Sequence, residues 1–314
     1  MTETTTPTLT RSASRRPGFA APSNGPILLA IDGLPDSVLA TRAAMDIAAN
    51  MGLALHVVHC WLPLTTAFGP AGEPTIDIGR AYQEPAAEVL RRQVEKLQRL
   101  GAVVAGEHLL MGRAADQVPE LASRLGAQLI VIGSRGLGAI KRLVLGSVSE
   151  GVAHAVGTPV LVVRGGHESW PPAQVLVGDD GSEHSTSAVA MGALVAKATG
   201  AQLTIATVVS EPWIESVTPY EARMAEDARV AGEAMVHDIA EAAHRAYGID
   251  VKTVVLYGDP ATTLIARAGS DSTPAVIAVG SRGLGAIARL ALGSVSTSIL
   301  RGAHGAVLIS NEAL

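Results

Sequence analysis

The stretch "GSRGLGAIKRLVLGSVS", residues Gly133–Ser149, recurs almost unchanged as "GSRGLGAIARLALGSVS", residues Gly280–Ser296. Fifteen of the seventeen positions are identical, and the two copies begin 147 residues apart. Each copy follows an apolar run, "LIVIG" or "VIAVG", which is typical of a parallel strand covered on both faces. A buried strand that leads into a Gly-rich loop predicts an α/β fold, and the repetition predicts that this fold occurs twice.

Two further landmarks repeat at nearly the same spacing. "AIDG" at Ala30–Gly33 corresponds to "GDDG" at Gly178–Gly181, 148 residues on, and "MGRAAD" at Met111–Asp116 corresponds to "YGDPAT" at Tyr257–Thr262, 146 residues on. An offset this steady indicates duplication of a whole domain. Strand-like runs alternate with helical segments in both copies, which predicts two doubly wound domains, each with a five-stranded parallel sheet.

The 314 residues divide into four segments by composition. Residues 1–24 are rich in Thr, Ser, Arg and Pro and are predicted to be a disordered tail, and their lack of a continuous apolar run argues against a signal peptide. Residues 25–165 and 173–314 are the two domains, and the Gly- and Pro-containing residues 166–172 link them. No apolar run is long enough to span a membrane.

Charge and cysteine content narrow the class of protein. A net charge of −5 gives no broad attraction to nucleic acid or to anionic lipid, so we expect neither as a partner. The single cysteine, Cys60, excludes an intramolecular disulfide and fits a reducing compartment. We therefore expect a cytoplasmic protein.

The repeated loop has the chemistry of a phosphate-binding site. Its glycines allow the backbone to approach an anion closely, and the helix that follows offers unpaired N–H groups and a partial positive charge. Serine hydroxyls and arginines add further partners for phosphate oxygens. The candidate residues are Gly133, Arg135, Gly136, Gly146, Ser147, Val148 and Ser149 in the first copy, and Gly280, Arg282, Gly283, Gly293, Ser294, Val295 and Ser296 in the second. The alternative interpretation is that the glycines only form a turn and the serines only cap the helix.

Familiar nucleotide motifs do not fit this loop. A Walker A loop needs Gly-Lys-Ser/Thr, and the chain contains no Gly-Lys pair. The dinucleotide fingerprint GxGxxG fails because Lys141 or Ala288 stands where its third glycine belongs. A GxSxG nucleophile elbow is also missing from the sequence.

A carboxylate ends the first predicted strand of each copy, at Asp32 and at Asp180. Ligands of open α/β sheets bind beyond the carboxyl ends of the strands, where the strand order reverses. If the first and fourth strands flank that point, each carboxylate faces the Gly-rich loop across one crevice. Such a carboxylate suits the amino group of a base or a sugar hydroxyl, although it could instead cap the following turn.

With these motifs in place, the chain resembles a tandem universal stress protein of the ATP-binding subclass, which is marked by G-x2-G-x9-G-[S/T]. The resemblance implies strand order 3-2-1-4-5, with Asp32 and Asp180 at the adenine end, Cys60 and Val208 lining the base pocket, and the triphosphate on the loop residues. The first copy departs from the family pattern with Leu34 where the second has Ser182. We therefore expect sites of unequal affinity.

The expected function is ATP binding by a regulatory stress-response protein, with Mg²⁺ arriving on the nucleotide and no metal held by the protein alone. No histidine or further carboxylate repeats beside the loops as a general base would. His56 and His59 lie three apart on a strand, so they face opposite sides and cannot share a metal. The alternatives are a slow ATPase and a cAMP-binding protein. Expected partners are an unidentified regulatory protein and a second copy joined through the strand-five edges.

Overall fold

The computed structural model of the chain describes residues 19, 24–33, 38–62, 78–134, 146–155, 157–164, 169–209, 219–269, 273–283 and 292–310. Arg135, Gly136 and Leu34 therefore lie outside the described residues, as does all of the expected tail except Phe19 and Asn24. The ring of Phe19 packs edge-on against that of Tyr247, with ring centroids 5.4 Å apart.

The first domain alternates strands and helices throughout. Its elements are β1 (Ile27–Ile31), α1 (Val38–Met51), β2 (Leu55–Trp61), α2 (Ile78–Arg99), β3 (Val104–Met111), α3 (Ala114–Leu125), β4 (Leu129–Gly133), α4 (Ser147–His154) and β5 (Val160–Val163).

The second domain repeats the same order. Its elements are β6 (Gln174–Gly178), α5 (Glu183–Thr199), β7 (Gln202–Val209), α6 (Pro219–Tyr247), β8 (Val251–Tyr257), α7 (Pro260–Gly269), β9 (Ala275–Gly280), α8 (Ser294–Gly302) and β10 (Ala306–Ser310).

The strands of each domain are parallel and follow the order expected from the sequence. The sheet runs β3-β2-β1-β4-β5 in the first domain and β8-β7-β6-β9-β10 in the second. In each domain the first and fourth strands are neighbours, as in the pairing of Ile27 with Leu129. The strand order therefore reverses at this point, which opens a crevice beyond the carboxyl ends of both strands.

Helices cover both faces of the sheet, so successive strand residues enter different cores. Along β1, Ile27 and Leu29 pack into the cluster formed with α1, α2, α5 and α6. Leu28 between them packs into the cluster formed with α3, α4, α7 and α8. All three side chains are fully buried. Burial on both faces explains why these strands are apolar throughout rather than alternating.

The two fifth strands pair with each other inside one chain. β5 and β10 are antiparallel, with Val162 opposite Val307, and they join the two halves into one ten-stranded sheet. Both are therefore interior strands, hydrogen-bonded on each side. The expected homodimer through the strand-five edges is wrong in this respect, because the duplication places the partner edge within the same molecule.

Side-chain contacts reinforce this junction between the domains. Asn50 Nδ2 donates to the carbonyl oxygen of Ala198 at 2.7 Å, which ties α1 to α5. Trp170, buried in the segment between the domains, donates from Nε1 to Asp46 Oδ2 at 2.8 Å. The two domains are thus packed against each other as well as joined through the sheet.

Candidate functional site

A cavity opens at the strand-order reversal of each domain. Both cavities are bounded by the carboxyl ends of the first, second and fourth strands and by the start of the helix that follows the Gly-rich loop. Pocket 1, in the first domain, is lined by Ala30, Ile31, Asp32, Val58, His59, Cys60, Leu62, Gly112, Ala114, Val118, Ile132, Gly133, Ser134, Gly146, Val148 and Ser149. Pocket 2, in the second domain, is lined by Gly178, Asp179, Asp180, Ser185, Ala206, Val208, Pro260, Leu264, Val279, Gly280, Arg282, Gly283, Gly293, Ser294, Val295 and Ser296.

The structure brings the sequence-predicted residues together in both pockets. All nine candidates of the second domain line pocket 2. Six of the nine in the first domain line pocket 1, namely Asp32, Cys60, Gly133, Gly146, Val148 and Ser149. Ser147 begins α4 but does not line the pocket.

Two glycines of the second loop are required by close packing. A β-carbon on Gly280 would come within 2.7 Å of the carbonyl carbon of His184 at the start of α5. A β-carbon on Gly283 would overlap Asp180 Oδ2. The loop therefore sits directly against the elements that follow β6. A larger residue at Gly280 would meet the backbone of His184 and push the loop away, whereas one at Gly283 would displace the end of the Asp180 side chain.

The helices that open into the pockets have no capping side chain at their first position. Gly146 is the N-cap of α4 and Gly293 is the N-cap of α8, and neither end has a side-chain cap. By contrast, Ser182 caps α5 and accepts a hydrogen bond from the Ser185 N–H at 3.1 Å. A glycine N-cap leaves the first-turn N–H groups facing the pocket, where an anion can accept from them.

The second serine of each helix serves the loop rather than the cavity. Ser296 Oγ donates to the carbonyl oxygen of Gly280 at 2.7 Å, and Ser149 Oγ donates to that of Gly146 at 3.0 Å. Both side chains are buried. Because the hydroxyl proton is engaged in each case, an anion here would be bound through backbone N–H groups of the helix. Gly293 N also donates to Ser281 O at 2.7 Å and closes the loop on itself.

The carboxylate of Asp180 faces the loop from the opposite wall of pocket 2. Its Oδ1 accepts a hydrogen bond from the Ser182 N–H at 3.0 Å, which fixes the turn, and its Oδ2 points at Gly283. The glycine after it, Gly181, has a φ of 85°, a conformation that favours glycine. Gly33 after Asp32 has the same left-handed conformation, with a φ of 77°. The Asp180 carboxylate therefore has both roles: Oδ1 accepts the hydrogen bond that fixes the turn, and Oδ2 lies on the loop side of the pocket.

The end of the second strand supplies an apolar wall. Cys60 in pocket 1 and Val208 in pocket 2 occupy matching positions at the ends of β2 and β7. Burial raises the pKa of the Cys60 thiol to about 11, so this cysteine is a neutral, weakly nucleophilic side chain at physiological pH.

Several residues that line the two pockets were not predicted from the sequence. Gly112 and Ala114 line pocket 1 and Pro260 lines pocket 2, and all three belong to the landmark pair "MGRAAD" and "YGDPAT". That repeat was the signal that could have placed them at the site. Asp179 had no such signal, because Ile31 stands at the corresponding place in the first domain. Asp179 is buried and accepts a hydrogen bond from Ser185 Oγ at 2.5 Å.

The part of the chain that the structure describes contains neither a metal-binding cluster nor a membrane-spanning helix. Within the ranges that the structure describes, no three or more His, Cys, Asp or Glu side chains are grouped so that they could hold a metal ion. No helix in those same ranges is both long enough and apolar enough to cross a bilayer.

Comparison with known proteins gives the family. The model of the universal stress protein family matches residues 24–164 and 173–311, which together make up most of the chain. A crystal structure of a universal stress protein from Archaeoglobus fulgidus superimposes with a TM-score of 0.66 at 25% identity, over 93% of this chain and 98% of that one.

Curated sequences agree with this assignment over part of their length. A universal stress protein of Mycobacterium tuberculosis is 34% identical over 143 residues, which is 46% of each chain. Another, from Mycolicibacterium smegmatis, is 37% identical over 141 residues, or 44% of this chain and 45% of the relative. Each match thus spans about half the length of the relative. With both halves matched by the family model and the tandem fold shared over nearly its whole length, the chain belongs to the universal stress protein family.

Proposed function

We propose that the chain binds two adenine nucleotides, one in each pocket, with ATP as the ligand. The observation that carries this proposal is pocket 2, where all nine candidate residues line one cavity and two kinds of group face each other across it. A carboxylate, Asp180, stands on one wall, and Arg282 and the glycine-capped start of α8 stand on the other. This arrangement suits a ligand with hydrogen-bond donors at one end and phosphates at the other.

The phosphate end would lie on the loop and the first turn of α8. The N–H groups of Ser294, Val295 and Ser296 are the unpaired donors of that turn, since the first helical bond is from Thr297 N to Gly293 O at 2.9 Å. The positive end of the helix dipole and the Arg282 guanidinium add favourable electrostatic interactions with an anion. In the first domain, Val148 and Ser149 line pocket 1 and supply such donors from α4, because there the first bond is from Glu150 N to Gly146 O.

The base end would lie between the first and second strands. Ala206 and Val208 in pocket 2, and Val58 and Cys60 in pocket 1, give an apolar surface for a flat ring. Asp180 or Asp32 at the edge of that surface would accept a hydrogen bond from an amino or hydroxyl group. Mg²⁺ would arrive with the phosphates and keep water ligands, as it commonly does on nucleotides.

The proposed role is regulatory binding rather than rapid turnover. The pocket side chains that we have identified hold the loop, the helix and the ligand, and the buried serine hydroxyls already donate to backbone carbonyls. Binding would stabilise the loop and the fold by mass action, and so would alter the surface that the protein offers to a partner.

The test is to release ligand from the purified native protein by heating and to identify it by mass spectrometry. ATP or ADP in the supernatant supports the proposal, and release of cAMP alone, or no nucleotide uptake from added MgATP, contradicts it. A multiple-turnover assay of phosphate release on the same sample distinguishes regulatory binding of ATP from slow hydrolysis of ATP. Retention of intact ATP supports regulatory binding, and continuous phosphate release supports a slow ATPase.

A further inference from the structure

The helix α8 connects the two pockets, because it begins at pocket 2 and ends against residues of the first domain that lie next to pocket 1. Its first residues, Ser294–Ser296, line pocket 2 in the second domain. Its last turn reaches the first domain, where Arg164 and Glu150 contact it. A helix of nine residues is short and rigid, so a displacement at one end moves the other.

Arg164 holds the end of α8 by two hydrogen bonds. Its Nη2 donates to the carbonyl oxygen of Leu300 at 2.7 Å, and its Nη1 donates to that of Ala303 at 3.0 Å. The carbonyl groups at the C-terminal end of a helix accept no hydrogen bond from within the helix, so Arg164 supplies donors that the helix lacks. Its positive charge also interacts favourably with the negative end of the helix dipole. Arg164 is only 6% exposed, and although burial lowers the pKa of its guanidinium to about 10, it remains protonated at neutral pH.

The backbone next to Arg164 is hydrogen-bonded to a residue that lines pocket 1. Arg164 directly follows β5, and the carbonyl oxygen of its neighbour Val163 accepts a hydrogen bond from the Ser134 N–H at 3.0 Å. Ser134 lines pocket 1 at the start of the Gly-rich loop. A single hydrogen bond therefore connects Ser134 of pocket 1 to the end of β5, and the next residue, Arg164, holds the end of α8.

A second connection runs from helix to helix. Glu150 lies in the first turn of α4, immediately after the residues that line pocket 1, and its Oε1 accepts hydrogen bonds from Arg301 Nη2 at 2.6 Å and Nε at 3.1 Å. Arg301 lies in the last turn of α8. The repeat offset of 147 places Thr297 and His154 at the corresponding positions, so the sequence provides this charged pair in one direction only.

We propose that Arg164 and Glu150 of the first domain are positioning residues for pocket 2, and that α8 couples the two sites. The inference rests on the proposed nucleotide function of both pockets. Nucleotide in pocket 1 would fix Ser134, α4 and the end of β5, and these in turn would fix α8 with its N–H groups directed at the phosphates in pocket 2. Since coupling between binding equilibria is reciprocal, nucleotide in pocket 2 would strengthen binding in pocket 1 to the same extent.

The experiment measures each site separately by calorimetric titration of the full chain with MgATP. Asp32→Ala closes pocket 1 and leaves pocket 2 open, and Gly283→Val does the reverse. Arg164→Met is then added to each background. We expect Arg164→Met to weaken pocket 2 at least fivefold in the Asp32→Ala background and to change pocket 1 less than twofold in the Gly283→Val background. Coupling is measured by comparing pocket 2 in Asp32→Ala with the unsubstituted chain, where both pockets fill. We expect pocket 2 to bind at least fivefold more tightly in the unsubstituted chain, the lower end of typical coupling between sites, and we expect Arg164→Met to reduce this difference. Arg164→Lys, which keeps the cation, should recover part of the loss.

Charge exchange provides the second test, because it does not depend on a buried side chain. Glu150→Arg and Arg301→Glu should each weaken pocket 2, and the double variant should restore it, whereas a purely structural effect would not be restored. Circular dichroism and thermal unfolding check that each variant is folded.

The outcomes distinguish the two proposals. Binding at both sites that is insensitive to Arg164 and to the charge exchange, or an equal loss at both sites, overturns the coupling while leaving the nucleotide function in place. No uptake of ATP by the unsubstituted chain at either site overturns the nucleotide function, and the coupling falls with it.

Discussion

The carboxylate of Asp180 lies directly against the backbone of Gly283, so closely that a β-carbon on Gly283 would overlap Asp180 Oδ2. The two residues follow different strands, β6 and β9, which are neighbours in the sheet. Their contact closes pocket 2 across the point where the strand order reverses. It also explains why the second glycine of the loop cannot be replaced without moving the carboxylate.

The first prediction concerns that contact. Gly283→Ala should weaken ATP binding in pocket 2 by about tenfold, equivalent to about 1.4 kcal/mol, because the new β-carbon displaces Asp180. The free energy of unfolding should change little, since the displaced atom is the end of a side chain. Gly269→Ala is the matched control, because a β-carbon there meets nothing within 4 Å. Titration and urea unfolding measure the two effects, and equal affinity in both variants would contradict the site.

The second prediction tests the roles of Asp32 and Asp180 in the two pockets one at a time. Asp32→Ala and Asp180→Ala should each reduce the nucleotide that copurifies with the chain from two molecules to one, and the double variant should retain none. The reason is that each substitution removes the hydrogen-bond acceptor at the base end of one pocket. Asp250→Ala serves as the control, since the Asp250 side chain is fully exposed and lies outside both pockets. A double variant that retains its nucleotide would refute the assignment.

The third prediction uses the single cysteine as a reporter of pocket 1. Cys60 should react slowly with iodoacetamide at pH 8, because burial raises its pKa to about 11 and little thiolate is present. ATP should slow the reaction further by covering the pocket wall. The Asp32→Ala variant should lose this protection while Asp180→Ala keeps it. If ATP has no effect on the rate in the unsubstituted chain, Cys60 is not at the ligand site.

The fourth prediction concerns a histidine pair in the first domain. His56 Nδ1 lies 2.9 Å from His108 Nε2, and the two rings stack with centroids 5.2 Å apart. Desolvation lowers the pKa of both groups, and for His108 the nearby charges of His56 and Arg124 lower it further. In the unfolded chain each histidine titrates near 6.5, so the unfolded state binds protons before the folded state does.

It follows that the free energy of unfolding should fall as the pH drops below about 6.5, until the pH reaches the lowered pKa values of the folded state. Above that range the pair should contribute no pH dependence. Urea unfolding at pH 5 and pH 7.5 measures this slope. His108→Leu should flatten it, whereas His304→Gln, which changes an exposed histidine, should not. An unchanged slope in His108→Leu would show that the pair is not responsible.

The fifth prediction tests the pairing of β5 with β10, which joins the two halves of the sheet. In a Cys60→Ser background, V162C and V307C together should form a disulfide within one chain, because directly opposed residues of antiparallel strands have Cα atoms 4.5–5.5 Å apart, within disulfide range. Non-reducing electrophoresis should show a monomer with altered mobility. A covalent dimer in its place would mean that the fifth strands pair between copies.

Much of the fold could be predicted from the sequence because both copies carry the same periodicity. Runs such as Leu129–Gly133 are apolar without alternation, which identifies parallel strands, and repetition at a steady offset identifies the duplication. The start of α2 is harder to predict, because the structure begins the helix at Ile78 and continues it through Pro85. A proline removes one hydrogen bond but does not always end a helix.

What the sequence could not provide is the pairing between distant elements. Antiparallel pairing of β5 with β10 depends on how two whole domains meet, and no local pattern encodes it. The same holds for the His56–His108 contact, which joins residues 52 positions apart. It also holds for the hydrogen bond from Arg164 to the carbonyl oxygen of Leu300, 136 positions away. The serine hydroxyls differ from expectation for a related reason, since only the folded loop brings Gly280 O within reach of Ser296.

The most direct measurement of the central claim is native mass spectrometry of the full chain equilibrated with MgATP. The account predicts a mass increase of two nucleotides per chain, of one in Gly283→Val, and of one in Asp32→Ala. A chain that takes up no nucleotide, or one that still takes up two nucleotides in either variant, would contradict the claim that each pocket is a nucleotide site.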